Sequence, residues 1–396
     1  MTVAELRRVL GVRGATVVGL GAMLGTGVFA AWTPAFALAG GALLLALGIA
    51  AVIAALNAMS TASLARVLPQ SGGAYAYGRE FLSRPAGVVA GYAFVLGKAA
   101  SAGAAALTIG AYTWPGYERV VAMAAIVIAL ALDLRGIVKS VRVTAVLVAL
   151  VLAVLAVLTG AYLLGGPQDV SSSALAAPSG VGLIAGAGIL FVAFAGYARI
   201  TVLGEEVRDP SRTIPRAMIA SFAIVIATYA VLGLVVLAAV RSGVVLTAAP
   251  LEAIADSAGS STLVLAVRVG AVIAAGAVLL SLIAGIGRTL FAMGRGGDAP
   301  AFLGRVTTST GVPSSAEISA AVLAGAVVLV GGIGIALALS AALILTYYGV
   351  AHLAVLARVR RGDFPRALGI TAALGLLGCA VVVVGLAWSA GALLPG

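Results

Sequence analysis

Long apolar stretches alternate along this chain with short segments rich in glycine, proline, serine and charged residues. Most of the stretches can cross a bilayer, because a spanning helix needs about 20 predominantly apolar residues. The pattern predicts an all-helical integral membrane fold with about eleven transmembrane helices. Their expected boundaries are roughly residues 15–38, 41–65, 86–111, 119–134, 143–165, 181–204, 217–240, 262–292, 315–334, 336–357 and 367–389.

The first predicted span contains four glycines, at positions 19, 21, 25 and 27. Glycine costs about 1 kcal/mol relative to alanine in a helix interior, so this spacing predicts a helix that is interrupted near the middle of the membrane. Unwound backbone is tolerated there only where protein or a water-filled cavity surrounds it. The alternative is a close helix-helix contact through small residues.

The sixth predicted span has the same character, with glycine and polar residues again at mid-depth in residues 186–199. A polar connector over residues 165–180 divides the first ten helices into two sets of five. Because five is an odd number, the second set enters the membrane from the opposite side, as an inverted repeat does. Paired interrupted helices in corresponding positions point to a binding site. We therefore expect a first repeat in residues 1–165, an inverted second repeat in 181–358 and one additional helix in 366–396.

Only 9% of the residues are charged and 62% are hydrophobic. A soluble domain carries about 25% charged residues, so the composition indicates an integral membrane protein. The net charge of +11 comes from basic residues dispersed in short loops. These loops fall on one side of the predicted membrane, so the positive-inside rule explains the charge. We therefore expect a lipid bilayer, and no nucleic acid, as partner. The same rule places the N-terminus in the cytoplasm and the C-terminus outside the cell membrane.

Four motifs carry a resemblance to a known family. They are GAMLGTGVF at residues 21–29, LPQSGGAYAY at 68–77, FAGY at 194–197 followed by EEVRDPSRTIP at 205–215, and Arg288 followed by FAMGRGGDAP at 291–300. In this order and on these predicted helices, the chain resembles the amino acid/polyamine/organocation permeases. The resemblance implies the inverted five-plus-five fold of the bacterial leucine transporter and transport of an amino acid substrate.

Two departures from the family pattern stand out. Most relatives have twelve helices, whereas this chain is expected to have eleven, and the last helix lies outside the transport core. Relatives also often carry a lysine in helix five that is thought to couple transport to protons. Residues 143–165 contain no lysine, and the position that aligns with it, near Val151, is apolar.

The resemblance also implies a binding site at the two interruptions. The free N–H groups at the start of a half-helix suit a carboxylate, and unwound carbonyls suit an ammonium group. Phe194 and Tyr197 are expected either to cap the site as an aromatic gate or to pack as core aromatics. The residues expected to bind substrate are Met23, Gly25, Thr26, Gly27, Val192, Ala193, Phe194 and Tyr197.

Lys98 lies about twelve residues into the third predicted span, where a charge costs several kcal/mol. A lysine that gains and loses a proton as the cavity opens to each side is a natural proton carrier, so we expect Lys98 to replace the missing helix-five lysine. The alternative is a structural amine bonded to carbonyls of a broken helix. Arg199 is expected to pair with Glu205 or Glu206 as a structural or gating pair.

The substrate class follows from what the predicted spans lack. No Asp or Glu is expected at membrane depth, so a cationic side chain would have no counter-charge. Small or apolar neutral amino acids are therefore favoured, and the basic Lys98 and Arg199 keep an acidic one open. An exporter, an exchanger and a non-transporting sensor of the same fold remain alternatives, and the oligomeric state is left open.

The sequence gives no sign of an enzyme. Cysteine, histidine and carboxylate residues do not cluster at metal-ligand spacing, and the glycine-rich segments lack a phosphate-binding pattern. We therefore expect neither a metal nor a cofactor. A membrane enzyme would need acid-base residues that converge at one depth, whereas Glu205, Glu206 and His352 are all expected near the cytoplasmic face.

Overall fold

The computed structural model describes residues 10–68, 72–135, 141–165, 178–201, 207–306 and 312–393. Within these ranges the chain forms sixteen α-helices and one isolated parallel bridge, between Leu10 and Val207. The helices are α1 Val12–Met23, α2 Thr26–Ala30, α3 Trp32–Ala39, α4 Leu43–Val67, α5 Ala74–Phe81, α6 Arg84–Thr113, α7 Glu118–Leu134, α8 Val141–Gly165, α9 Gly180–Phe194, α10 Ala198–Thr201, α11 Pro210–Arg241, α12 Pro250–Ser257, α13 Ser261–Arg295, α14 Ser314–Val330, α15 Ile333–Arg360 and α16 Arg366–Trp388.

The helices agree with the predicted spans. Eight helical segments in the described residues are long and apolar enough to cross a membrane, and the apolar helices α9 and α14 are shorter. The helix α7, with 17 residues, occupies the fourth predicted span. Each of the eleven predicted spans coincides with a helix or a set of consecutive helices, so the predicted all-helical membrane fold is confirmed. The short helices α5 and α12 were not predicted.

Both predicted interruptions are present. The helix α1 ends at Met23 and α2 begins at Thr26, so Leu24 and Gly25 lie outside helix. Ala31 keeps helical dihedral angles, with φ −75° and ψ −17°, and thereby joins α2 to α3. In the sixth span α9 ends at Phe194 and α10 begins at Ala198. The glycine patterns therefore mark real breaks, and close packing through small residues occurs at the same positions.

The helix α6 lies at the centre of the bundle, where it packs against α5, α7, α13, α14 and α15. Its sequence is rich in glycine and alanine, which lets neighbouring helices approach closely. A Cβ atom at Gly97 would lie 3.0 Å from Ile344, and one at Gly103 would lie 2.9 Å from Val327. Small residues therefore place α6 against α14 and α15.

An ionic cluster ties α5 and α6 to the loop after α13. The Asp298 carboxylate accepts hydrogen bonds from the Tyr75 hydroxyl at 2.8 Å, from Arg84 Nε at 2.8 Å and from Arg79. Burial acts to raise the pKa of Asp298, but the hydrogen bonds from Arg84 and Tyr75 and the two guanidinium charges hold that pKa below its usual range. The carboxylate therefore stays ionised at one end of the bundle, here called the α5 end.

A buried polar network attaches the additional helix α16 to the bundle. His352 of α15 lies between Ser60 and Asn57 of α4, with Nδ1 2.9 Å from the Ser60 hydroxyl and Nε2 2.7 Å from Asn57 Oδ1. The Cys379 thiol of α16 donates to the same Asn57 oxygen at 3.3 Å. Such side-chain hydrogen bonds link helices inside a membrane. His352 is therefore a packed interhelical residue.

Candidate functional site

The two helix breaks lie against each other, backbone to backbone. A Cβ atom at Gly27 would lie 2.6 Å from the Cα atom of Ala193, and one at Gly196 would overlap the carbonyl oxygen of Ala22. Real Cβ atoms do not approach other atoms so closely, so only glycine fits at these two positions. Gly27 and Gly196 thus allow the breaks to meet.

The start of α2 presents free backbone donors to this junction. The first N–H groups of a helix have no intrahelical partner and carry the positive end of the helix dipole. Thr26 and Gly27 are the first two residues of α2, and both are buried. Thr26 is 6% exposed, and its hydroxyl has no hydrogen-bond partner among the described residues. A buried hydroxyl of this kind fits a site that accepts a polar ligand.

The end of α9 presents carbonyl oxygens to the same junction. The Val192 carbonyl accepts a hydrogen bond from the Ala195 N–H at 3.2 Å, and the Phe194 carbonyl accepts one from the Tyr197 N–H at 3.3 Å. The Ala193 carbonyl lies 3.4 Å from the hydroxyl of Tyr229, which is a long hydrogen bond. Ala193 is therefore the weakly engaged acceptor of the three.

A small cavity of about 60 Å³ lies at the junction, and we call it the central cavity. It adjoins both breaks and the helices α6, α13 and α15. Liquid water occupies about 30 Å³ per molecule, so this volume corresponds to about two water molecules, and the cavity would have to widen around an amino acid. The residues that line it are Ala22, Met23, Gly25, Thr26, Gly27, Lys98, Ser101, Val192, Ala195, Gly196, Val278, Leu282 and Leu337.

The central cavity has one basic wall. Lys98 and Ser101 of α6 line it, and the Ser101 hydroxyl lies 2.6 Å from that of Ser340. The Lys98 ammonium lies 5.9 Å from the centre of the Phe94 ring, and Arg199 acts on it as a second positive charge. Among the described residues that line the cavity, none is acidic. The wall therefore favours neutral or anionic ligand groups.

The predicted site residues divide into two groups. Met23, Gly25, Thr26, Gly27, Val192 and Lys98 all line the central cavity, whereas Ala193, Phe194 and Tyr197 lie outside its lining. The Phe194 ring stacks on Phe222 at 6.2 Å, and the Tyr197 ring stacks on Tyr348 at 5.5 Å. Both predicted aromatics are fully buried in this conformation and pack as core residues.

Arg199 lies in α10, beside the second break. Its expected partners, Glu205 and Glu206, fall outside the described residues, so the predicted gating pair stays a prediction.

Several lining residues carry no signal in the sequence. Ser101, Val278, Leu282 and Leu337 come from three helices whose apolar patterns do not distinguish their cavity-facing positions. Gly196 lies within the FAGY motif, so that motif contained the signal for it. The two breaks carry a signal in the sequence, whereas the walls that α13 and α15 add do not.

The helix α12 packs beyond α2 at the opposite end of the bundle, here called the α12 end. The Leu251 N–H donates to the Tyr112 hydroxyl at 3.3 Å, and this hydroxyl donates to the Phe29 carbonyl at 2.8 Å. A second cavity of about 680 Å³ lies beside α12 and contains the Arg268–Glu252 ion pair at 2.6 Å. It is larger than the central cavity, but neither helix break lines it.

Two broken helices that meet at a buried cavity in an apolar helical bundle define a membrane transporter. A sequence profile of the amino acid permease family matches residues 10–393, and this chain belongs to that family. It is 42% identical over 384 residues to an uncharacterized transporter of Mycobacterium tuberculosis, covering 96% of this chain and 87% of the relative. Its family and relatives are membrane transporters and not enzymes.

Two more distant proteins are also similar. The branched-chain amino acid permease of Bacillus subtilis is 27% identical over 334 residues, covering 76% of this chain and 70% of the relative. A solved structure of a Na⁺-coupled sialic acid symporter superposes with a TM-score of 0.59 at 14% identity, covering 98% of this chain and 91% of the symporter. The second comparison shows a shared fold alone.

Proposed function

We propose that this chain is a secondary active transporter that carries small or apolar neutral amino acids across the cell membrane by alternating access, coupled to protons. One observation carries the proposal: the start of α2, Val192 at the end of α9 and Lys98 line the same small cavity. The similarity to a branched-chain amino acid permease supports the substrate class.

The two charged groups of an amino acid match the two breaks. Its carboxylate would accept hydrogen bonds from the N–H groups of Thr26 and Gly27 and from the Thr26 hydroxyl, which has no partner in the described part of the chain. Its ammonium group would donate to the Ala193 carbonyl, which is held only by a long hydrogen bond. A zwitterion therefore completes polar groups that protein atoms leave incomplete.

The walls of the central cavity support the choice of side chain. Val278, Leu282 and Leu337 offer apolar contact, and the volume of about 60 Å³ favours a small substrate. A cationic side chain would meet Lys98 with no acidic lining residue to balance it. An acidic side chain is the second candidate within this class, because Lys98 would then act as its counter-charge.

Lys98 is the candidate for proton coupling. It lies on the wall of the central cavity, so each opening of the cavity would expose its ammonium to one side of the membrane. A bound proton would be released when the cavity opens to the more alkaline side. The alternative is a structural amine that stabilises the broken helices, and it predicts transport that ignores a pH gradient.

Alternating access is supported by an inverted repeat that we infer for residues 1–165 and 181–358. The contact of α1 with α11 has an equivalent in the contact of α9 with α4, and the contact of α6 with α15 has one in that of α13 with α8. Equivalent pairs are what two inverted sets of five helices produce. The basic loops support a cytoplasmic N-terminus and an external C-terminus.

Uptake by sealed proteoliposomes tests the proposal. Radiolabelled L-alanine, L-leucine, L-glutamate and L-lysine would be offered with and without an inside-alkaline pH gradient. We expect alanine or leucine to accumulate and the gradient to increase that accumulation. Accumulation of lysine alone would contradict the counter-charge argument, and accumulation of glutamate alone would favour the acidic substrate.

The same vesicles separate the alternatives. An exchanger would take up label only when preloaded with unlabelled amino acid, and an exporter would accumulate it only when the pH gradient is reversed. A sensor would bind the amino acids in detergent, which a rise in thermal midpoint detects, but would accumulate none of them.

A further inference from the structure

Tyr229 of α11 touches both helix breaks with one hydroxyl group. Its oxygen lies 2.7 Å from the Met23 carbonyl at the end of α1 and 3.4 Å from the Ala193 carbonyl at the end of α9. The side chain is 1% exposed, and its ring packs edge-on against Trp32 at 6.1 Å and Phe194 at 5.5 Å. The ring is therefore fixed between the two breaks.

Both carbonyls lose their helical N–H donor because the helices are broken. In a continuous helix the Met23 carbonyl would accept the N–H of residue 27, and the Ala193 carbonyl would accept the N–H of residue 197. Here α1 ends at Met23, and the Tyr197 N–H donates to Phe194 instead. A buried carbonyl without a donor is costly in a membrane, and the Tyr229 hydroxyl supplies the missing donor at Met23, with only a long contact to Ala193.

A hydroxyl group has one proton, so it can donate fully to only one of these carbonyls. The distances of 2.7 and 3.4 Å assign the proton to Met23. The Ala193 carbonyl keeps its acceptor capacity at the end of α9, next to Val192, which lines the central cavity. Tyr229 thereby fixes one break and leaves the acceptor at the other break available.

We infer that Tyr229 is the positioning residue of the substrate site: its hydroxyl anchors Met23, sets the spacing of the two breaks and leaves Ala193 to the substrate ammonium. This inference rests on the proposed function. Tyr229 does not line the central cavity, so its effect on the substrate passes through the backbone of residues 23–27.

The test compares Tyr229→Phe with Tyr162→Phe in the full chain. Phenylalanine keeps the ring contacts and removes only the hydroxyl. Tyr162 of α8 is a matched control, because its hydroxyl is also buried but has no hydrogen-bond partner in the described part of the chain. For L-alanine or L-leucine uptake, we expect Tyr229→Phe to raise KM roughly three- to tenfold at nearly unchanged maximal rate. Tyr162→Phe should match the wild type.

Hydrogen-deuterium exchange supplies a readout that needs no substrate. Peptides that cover residues 20–30 and 190–198 should exchange faster in Tyr229→Phe than in Tyr162→Phe, because an unanchored break opens more often. Equal exchange and equal KM in the two variants would overturn the inference. So would a reduced maximal rate with an unchanged KM.

Failure of the proposed function looks different. In that case neither variant nor the wild type accumulates any amino acid offered, while the exchange difference between the two variants still decides whether Tyr229 anchors the breaks.

Discussion

The hydroxyl of Tyr112, at the end of α6, donates a 2.8 Å hydrogen bond to the carbonyl of Phe29, in the helix that begins at the central cavity. The same hydroxyl accepts the N–H of Leu251 at the start of α12, and the Phe29 and Tyr112 rings pack edge-on at 5.9 Å. One buried side chain thus joins α2, α6 and α12. Under alternating access, this junction must open when the cavity faces the α12 end.

Removal of the Tyr112 hydroxyl should loosen the α12 end. In Tyr112→Phe the Phe29 carbonyl and the Leu251 N–H lose their shared partner, and each hydrogen bond contributes about 1 kcal/mol. We expect deuterium exchange across Pro250–Ser257 to accelerate about fivefold or more, with little change across α16. Tyr162→Phe is again the control. Unchanged exchange in α12 would mean that its other contacts hold it without Tyr112.

The close contact of the two breaks makes Gly27 intolerant of any side chain. Gly27→Ala places a Cβ atom 2.6 Å from the Ala193 Cα atom, so one break must move and the junction loses its geometry. We expect loss of amino acid uptake and a lower thermal midpoint. Gly276→Ala in α13 is the matched control, because a Cβ atom there meets nothing within 4 Å. A Gly27→Ala variant with wild-type uptake would contradict the geometry of the junction.

Substitution of Lys98 separates proton coupling from a structural role. Lys98→Met removes the titrating group, so uptake should persist down a substrate gradient but no longer respond to a pH gradient. Lys98→Arg keeps a positive charge that cannot release its proton, and it should lose the same response. Uptake is measured in proteoliposomes over a series of imposed pH gradients. If Lys98→Met retained the full response, another group would carry the proton.

The Asp298 cluster should contribute to stability above acidic pH. In Asp298→Asn, the charge that holds Arg79 and Arg84 is lost. Because both arginines are partly exposed, at 34% and 63% of their side chains, we expect a loss of about 1–2 kcal/mol. Thermal midpoints of the wild type and the variant are the measurement. Asp363→Asn, which removes a more exposed carboxylate, at 37% of its side chain against 1% for Asp298, should cost less.

The pH dependence of that difference has a definite sign. The folded-state pKa of Asp298 is lowered, so its stabilising contribution is complete above the unfolded pKa of about 4. It is lost as the pH falls through the lowered folded pKa. The wild type should therefore exceed Asp298→Asn by a constant margin near neutral pH, and the margin should shrink in acid. A constant margin down to pH 3 would contradict this origin.

The breaks and the spans could be predicted because their signals are local. Glycine at positions 25 and 27, and again at 196, weakens a helix wherever it occurs, and apolar length identifies a span without knowledge of its neighbours. Lys98 was found in the same way, because a charge is costly anywhere inside a membrane. Each of these features follows from a few consecutive residues and the properties of the bilayer.

The remainder of the site depends on which helices become neighbours. Tyr229 lies 206 residues after Met23, and nothing in the pattern of α11 marks its hydroxyl as the partner of a broken helix. Leu337 and Val278 look like any other apolar residues of their spans. For Phe194 and Tyr197 the sequence allows either an aromatic gate or core packing. In the structure both side chains pack in the core, because Phe222 and Tyr348 lie beside them.

The position of Cys379 has a practical consequence. It is the only cysteine in the sequence, it is 3% exposed, and its thiol is engaged by Asn57 in the link between α4 and α16. Thiol reagents attack an accessible thiolate, so this side chain should stay silent in the folded protein. The natural chain is thus ready for fluorescent or spin labels on one or two introduced cysteines. The distance between two such labels can report each conformation while α16 keeps its native attachment.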